Sequence, residues 1–399
     1  MTAPLTGPLN SPQLPARHIA DPATRPLLYQ HRRKSTFLHK ISPTRHIFVV
    51  NNFTSFLSAF ATIRGTGLDP NEVGFLLMRD IYVGHAFESH IIKPSNSRRR
   101  VVRLLAPSFR PRKARRAVRA LDRSIHHFSP GSFHAYFANT RMHSFPFLTT
   151  HPKCAGFSVL EEGIAAYLLG CQPLSTPFHE DSDLYYKLSF RLKALLSFGP
   201  RYWKRTSFYE SGYENLFCFS DRAFAPHPRR VVFDLHQTIH ELLHFDPSFG
   251  EDLPELEPDA IIFIFDGRNP NDSEFFERFV EFAADLVAHG RPIYFRRHIN
   301  HYHIYKFSTF IYRLRQRLPN LCIKEIDRNI PIEVIGYWYP HITFIFDRSS
   351  AGLYLHLLGA SAYRMHFTDA DDVETVLAPV PAWPGVAQAT VKPCGHAAD

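Results

Sequence analysis

Cysteine is scarce in this chain, and its few cysteines are widely spread. The 399 residues contain five, an odd number, without a CxxC pair. A disulfide framework and a cysteine-ligated zinc site are therefore both disfavoured. This usage predicts a reducing compartment.

Long apolar runs are also missing. The longest ones, such as Ala260 to Phe265, fall far short of the about 18 residues that a membrane-spanning helix needs. The first 44 residues are rich in Pro, Arg, Thr and Ser and contain no apolar run. We therefore expect neither a membrane span nor a secreted protein.

What the chain does contain is enough apolar material for a large core. Apolar residues make up 45% of it and aromatic residues 14%, which excludes wholesale disorder and at this length predicts two domains. The 46 Lys and Arg against 37 Asp and Glu leave a net charge of +9. Nucleic acid, anionic lipid and a phosphorylated substrate all fit such a balance as partners.

Short apolar, β-branched runs alternate with helical patterns in both halves of the chain. In the first half, His46 to Asn52 and Val73 to Met78 read as strands around a helix that starts at Thr54. This alternation predicts an α/β protein with two Rossmann-like lobes, whose parallel sheets face a central cleft. A proline-rich stretch at Ser220 to Pro258 is the predicted linker between the lobes. The predicted domains are an extended segment at 1–44, lobes at 45–225 and 226–377, and a disordered tail at 378–399.

Chemistry is expected at strand ends, because ligands of open parallel sheets bind outside the carboxyl ends of the strands. One such end is Glu161-Glu162-Gly163, two carboxylates and a turn glycine after a buried run. The more buried carboxylate would have a raised pKa, as a general base requires. The alternative is a pair of acids favoured by a helix dipole.

Two further strand ends carry cations and hydroxyls. Arg296, Arg297 and His298 follow a strand and suit an anionic leaving group, although His298 also fits an ordinary surface histidine. Ser349 and Ser350 open a helix after another strand. Free amides and two hydroxyls there would cradle a phosphate without a metal, whereas a plain serine cap needs only one of them.

These three places together resemble the bacterial GT-B sialyltransferases, in particular glycosyltransferase family 52 and the bacterial polysialyltransferases. Glu161-Glu162-Gly163 matches the acidic-acidic-glycine motif of those families, and Ser349-Ser350 matches their paired serines. The segment Ile330 to Ile335, which includes Glu333, is also similar. The His-Pro motif is half present, since isoleucine follows His298.

The resemblance implies a GT-B-like fold and a metal-independent, inverting transferase without a cofactor. It implies Glu162, or failing that Glu161, as the general base, and it implies that His298 stabilises or protonates the departing phosphate. The residues it assigns to the donor phosphate and nucleotide are Ser349, Ser350, Arg296, Arg297 and Glu333. The implied donor is a CMP-activated sialic or related nonulosonic acid and the implied acceptor a hydroxyl of a bacterial surface glycan, such as lipopolysaccharide or capsule; Kdo transfer is the alternative.

A competing pattern is His240-Glu241-Leu242-Leu243-His244, which satisfies HExxH and would make a zinc peptidase. Pro247 follows closely, and the next segment begins an α/β domain. The other interpretation is a helix between the lobes.

A basic segment spans Arg98 to Arg123, with apolar residues interleaved. It favours contact with an anionic membrane surface or a polyanionic acceptor, against the alternatives of a solvated basic helix or nucleic-acid binding. We expect no nucleic-acid partner and place the protein at the inner face of a bacterial cytoplasmic membrane; the sequence leaves open whether it forms a homodimer. The residues expected to make this contact are Arg98, Arg99, Arg100, Arg112, Lys113, Arg115 and Arg116.

Overall fold

The computed structural model describes residues 44–93, 111–138, 144–163, 166–167, 213–224, 228–265, 270–297, 305–327, 329–365, 377 and 379–382. All structural statements below concern these residues.

The first lobe is built on a six-stranded sheet in which every neighbouring pair is parallel. Its order β2-β1-β3-β4-β5-β6 reverses direction between β1 and β3. Such a reversal opens a crevice at the carboxyl ends of the strands. The strands are β1 Arg45–Val50, β2 Val73–Leu77, β3 Phe133–Phe137, β4 Cys154–Leu160, β5 Tyr213–Cys218 and β6 Arg230–Val232.

The second lobe carries a five-stranded sheet of order β11-β10-β7-β8-β9, again parallel throughout. Here the order reverses between β7 and β10. The strands are β7 Ile261–Ile264, β8 Ile293–Arg296, β9 Ile323–Glu325, β10 Thr343–Phe346 and β11 Ser361–Arg364.

The described helices are α1 Phe53–Thr66, α2 Pro111–Phe128, α3 Ser144–Thr149, α4 Leu235–Phe245, α5 Ser248–Glu251, α6 Ser273–Ala288, α7 Tyr305–Arg317, α8 Ile332–Trp338 and α9 Ser350–Leu357. Helix α1 shows how local sequence sets their bounds. The side chain of Asn52 caps its first turn by accepting from the amide of Ser55, and Gly67 ends it in the left-handed conformation.

The central strands of both sheets are largely buried, which is why they read as continuous apolar runs, whereas the edge strands β6 and β9 are not. Strands β2, β3 and β7 are buried at every position. One apolar cluster includes residues of both lobes, such as Val159 and Phe346, so the lobes share part of a core. The prediction of two α/β lobes with parallel sheets is confirmed.

The change of lobe lies later in the chain than the predicted boundary at residue 226. Strand β6 pairs with β5 and therefore belongs to the first lobe, whereas helix α4 contacts both α1 of the first lobe and α8 of the second. The proline-rich stretch predicted as a linker therefore contains a strand and two helices. Strand β6 is an edge strand because it pairs with β5, and the local sequence does not reveal this pairing.

The first described residues of the predicted C-terminal tail pack against the second lobe. Val380 is 2% exposed, and the amide of Arg364 donates to the carbonyl of Pro381 at 2.8 Å. Residues 379–382 thus pack beside β11, contrary to the expectation of a disordered tail from 378. Residues 383–399 and 1–43 lie outside the described part.

Candidate active site at the carboxyl ends of the sheets

The acidic motif and the paired serines come together. Glu161 and Glu162 directly follow β4, and Gly163 has a φ of +114°, a conformation that side chains rarely adopt. A Cβ atom at position 163 would lie 2.8 Å from Oγ of Ser350 in the second lobe. Glycine is therefore required twice here, by the backbone and by the close approach of the other lobe.

Glu161 is the buried member of the acidic pair, with no exposed surface. Its Oε2 accepts from the amide of Phe219 at 2.7 Å, and its Oε1 accepts from the hydroxyl of Tyr354 at 2.6 Å. Burial raises the pKa of Glu161, and the donors Tyr354 and Phe219 oppose that rise. Tyr354 lies on α9, so a residue of the second lobe holds this carboxyl group.

Glu162 is only partly buried and faces different partners. Its Oε1 accepts from Nδ2 of Asn51, and its backbone carbonyl accepts from Nδ2 of Asn52 at 3.3 Å. Asn51 is 5% exposed, and its Oδ1 has no hydrogen-bond partner in the part of the chain that the structure describes. A buried acceptor without a donor is costly, so this oxygen is suited to a ligand hydroxyl.

The paired serines open helix α9 after strand β10. Ser349 caps the helix, its Oγ accepting from the amide of Ala351 at 3.3 Å, and both serines are partly exposed. The first amides of a helix have no partner within the helix and favour a negative charge. The arrangement can hold an anionic group against the acidic motif.

The two arginines at the carboxyl end of β8 have protein partners. Arg296 donates to the carbonyl of Asp327 at 2.9 Å, while Arg297 pairs with Glu325 and lies 4.9 Å from the ring centre of Phe307. Salt bridge and ring together orient the guanidinium of Arg297.

Glu333 is placed deep between the lobes. It is 5% exposed on α8, and its Oε1 accepts from the hydroxyl of Thr54 on α1 at 3.0 Å. Burial raises the pKa of Glu333, opposed by its hydrogen bonds, including that from Thr54, and by the charge of Arg296. Thr54 to Glu333 and Tyr354 to Glu161 are thus two buried hydrogen bonds that cross from lobe to lobe.

Some predicted residues cannot be placed. His298, Arg98, Arg99 and Arg100 lie outside the described residues. Lys113 lies in helix α2, where Arg112, Arg115 and Arg116 are exposed.

The HExxH residues lie on helix α4, which contacts helices of both lobes, as the alternative interpretation of a helix between the lobes expects. His240 and His244 are exposed with ring centres 4.3 Å apart, and Nδ1 of His240 lies 2.9 Å from the hydroxyl of Tyr337. Glu241 accepts from Gln237. Across the described ranges, no group of three or more His, Cys, Asp or Glu is positioned to hold a metal ion.

Sequence reasoning missed the partners of the acids. Asn51 had a usable signal, because it is a polar residue immediately after a buried strand. Tyr354 and Thr54 had none, since each lies within an otherwise ordinary helical pattern and meets its carboxylate only through the packing of the lobes.

Within the described residues, none of the helices has the length and apolarity to cross a membrane.

No protein-family model matches the chain, and no curated protein matches its sequence. Among solved structures, a UDP-GlcNAc 2-epimerase from Methanocaldococcus jannaschii in complex with UDP-GlcNAc and UDP is 10% identical, covering 88% of this chain and 94% of its own, with a TM-score of 0.49. The UDP-GlcNAc 2-epimerase from Neisseria meningitidis bound to UDP-GlcNAc is 14% identical, with coverages of 87% and 89% and a TM-score of 0.45. The calicheamicin glycosyltransferase CalG4 is 12% identical, with coverages of 89% and 91% and a TM-score of 0.40. The GT-B-type architecture itself rests on the two parallel-sheet lobes of this chain.

Proposed function

We propose that this protein is a glycosyltransferase that uses a nucleotide-activated sugar and inverts the anomeric centre without a metal ion. The observation that carries the proposal is the close approach of Gly163 to Ser350, since a Cβ atom at position 163 would lie 2.8 Å from Oγ of Ser350. It brings the acidic motif of one lobe close to the start of helix α9 in the other. A transferase needs this combination, because a base must face the acceptor while donors face the leaving phosphate.

In this proposal Glu162 is the general base. Glu161 has the burial and the raised pKa that the sequence led us to expect of the base. Both of its carboxylate oxygens are nevertheless held by protein donors, and the residue has no exposed surface, so it serves to position the motif. Glu162 takes the proton of the acceptor hydroxyl as that oxygen attacks the anomeric carbon. The bond from that carbon to the phosphate oxygen breaks, and the nucleotide leaves with the electron pair.

The leaving phosphate is stabilised by Ser349, Ser350 and the first amides of α9. Arg296, Arg297, Glu333 and His298 remain the other proposed donor-side residues. Because Arg297 is oriented by Glu325 and Phe307, it would contribute charge from a fixed position. A monophosphate leaving group needs less neutralisation than a diphosphate, which is consistent with metal independence.

The finer proposal is a CMP-activated nonulosonic acid as donor and a bacterial surface glycan as acceptor, as the sequence motifs imply. The exposed arginines of α2 support placement at the anionic inner face of the membrane.

Thermal denaturation in the presence of CMP, UDP, GDP and ATP tests the donor class, since a ligand that binds the folded state raises the Tm. We expect CMP to stabilise the protein most, and the Ser349→Ala/Ser350→Ala variant to lose that shift. Ser273→Ala, an exposed serine in the first turn of α6, is the matched control. Stabilisation by UDP alone would overturn the CMP assignment, and the absence of a shift with every nucleotide would overturn the transferase proposal.

A further inference from the structure

A pocket lies at the amino end of the first sheet, opposite the candidate active site, and the proposed reaction does not use it. Its cavity of about 590 Å³ lies between the starts of β1 and β2, the turn at His90 and the last turns of α2. This size is typical of a site for a small organic ligand.

The rim of the pocket is cationic. Among the described residues that line it none is acidic, and five can carry positive charge: Arg45, His90, Lys93, Arg123 and His127. Arg45 is fixed in place, since its guanidinium donates to the carbonyl of Asn71 and lies 5.9 Å from the ring centre of Phe128.

The floor of the pocket is apolar. Val73, Ile91 and Ile92 are buried, and the partly buried ring of Phe128 lies beside them. The amide of Ile92 donates to the carbonyl of Phe75 at 2.9 Å. This bond ties the segment to the edge of the sheet and thereby positions Lys93 at the rim.

A row of arginines leads to the pocket along helix α2. The exposed arginines recur at spacings that keep them on one helical face: Arg112, Arg115, Arg116, Arg119 and Arg123. The row spans roughly 16 Å at the rise of an α-helix. Such a field concentrates anions near the pocket.

We propose that this pocket binds a phosphate ester with an apolar body. Arginine and lysine hold phosphate with charge-assisted hydrogen bonds, which accounts for the rim. A bare inorganic anion would leave the apolar floor unused, so the floor specifies an ester with hydrocarbon attached. The source of the ester is either a free metabolite-sized molecule or the headgroup of a lipid in a bilayer.

The test uses the full chain and two probes, dihexanoyl phosphatidic acid and glycerol 3-phosphate, titrated by calorimetry at low salt. We expect saturable binding of the first and at least about tenfold weaker binding of the second, which lacks the hydrocarbon. The Lys93→Ala/Arg123→Ala variant should lose at least about tenfold in affinity for dihexanoyl phosphatidic acid. Arg315→Ala/Arg317→Ala, with the same change of charge at exposed positions on helix α7 of the second lobe, should change it by less than about threefold.

Equal losses in both double variants, equal affinity for both probes, or no saturable binding would overturn the proposal. Each variant that loses affinity must keep the Tm of the wild type. If Arg123→Ala disturbs α2, the single variant Lys93→Ala replaces the double variant, because Lys93 is exposed. Cosedimentation with phosphatidylcholine vesicles containing phosphatidic acid separates the sources. Cosedimentation with vesicles that is lost in the Lys93→Ala/Arg123→Ala variant indicates a lipid headgroup. Calorimetric binding that depends on this pair, without cosedimentation that depends on it, indicates a free ester.

Discussion

The two ends of the first sheet are built from different kinds of contact. At the carboxyl end, Glu161 depends on Tyr354 of the second lobe, and Thr54 of this lobe donates to Glu333 of the other. At the amino end, polar side chains contact partners within the lobe. His46 lies 3.0 Å from the hydroxyl of Tyr136.

Burial shifts the pKa values at these ends in opposite directions. It raises the pKa of Glu161 at the carboxyl end. At the amino end it lowers the pKa of His46 to about 4 and, together with the nearby His46, that of His134 to about 3. The carboxyl end thus holds groups whose arrangement requires both lobes, as expected of a reaction site, whereas the buried histidines of the amino end have their partners within one lobe.

The largest expected effect is on the carboxylate proposed as the base. Glu162→Gln should lower the rate of sugar transfer by roughly 10²- to 10⁴-fold, because the amide cannot accept the acceptor proton. The rate of nucleotide release in the presence of acceptor measures this. Glu241→Gln on α4 removes the glutamate that a zinc peptidase would use as its base, and it should leave the transfer rate unchanged. A transfer rate that falls in Glu241→Gln but not in Glu162→Gln would assign the activity to the HExxH helix.

A smaller effect is expected across the junction. Ser349→Ala/Ser350→Ala should slow transfer by roughly 10- to 100-fold, since two hydrogen-bond donors to the developing phosphate charge are lost. The same rate measurement applies, with Ser273→Ala as control. An unaltered rate in the paired variant would separate the serines from the reaction.

Next in size is the contribution of the buried hydroxyl of Tyr354. Tyr354→Phe leaves one oxygen of the buried Glu161 without this donor, which should lower the free energy of unfolding by about 1–3 kcal/mol. Denaturant titration measures it, and Tyr312→Phe, 65% exposed, is the matched control. Equal stability of the two variants would show that Tyr354 does not hold Glu161.

The last prediction concerns the pH dependence of stability at the amino end. A histidine whose pKa is lower in the folded than in the unfolded chain binds more protons when unfolded, so its contribution to stability is complete above about pH 6.5. That contribution is lost as the pH falls towards 4, where His46 itself titrates. The denaturation midpoint of the wild type should therefore fall over this range more than that of His46→Gln/His134→Gln. Parallel profiles would contradict the lowered pKa values.

Much of this fold follows from local sequence. The runs around β1, β7 and β10 are apolar and rich in β-branched residues. The ends of α1 are set by two single residues, Asn52 at its start and Gly67 at its end. The meeting of Glu161-Glu162-Gly163 with Ser349-Ser350 was predictable in kind, because both lie at carboxyl ends of parallel strands.

The rest depends on packing over long sequence distances. Strand β6 has three residues and is recognisable only by its pairing with β5. Which acid is buried could not be read from two adjacent glutamates, since that depends on Phe219 and Tyr354. The basic pocket likewise assembles Arg45, Lys93 and Arg123 from three separate elements.

In the proposed reaction, one ligand touches both lobes at the carboxyl ends of their sheets. Hydrogen–deuterium exchange with and without a CMP-activated nonulosonic acid measures this. We expect slower exchange in two separate segments, residues 158–163 and 347–353, with no change at 120–128 beside the amino-end pocket. Protection confined to one lobe, or to neither, would contradict it.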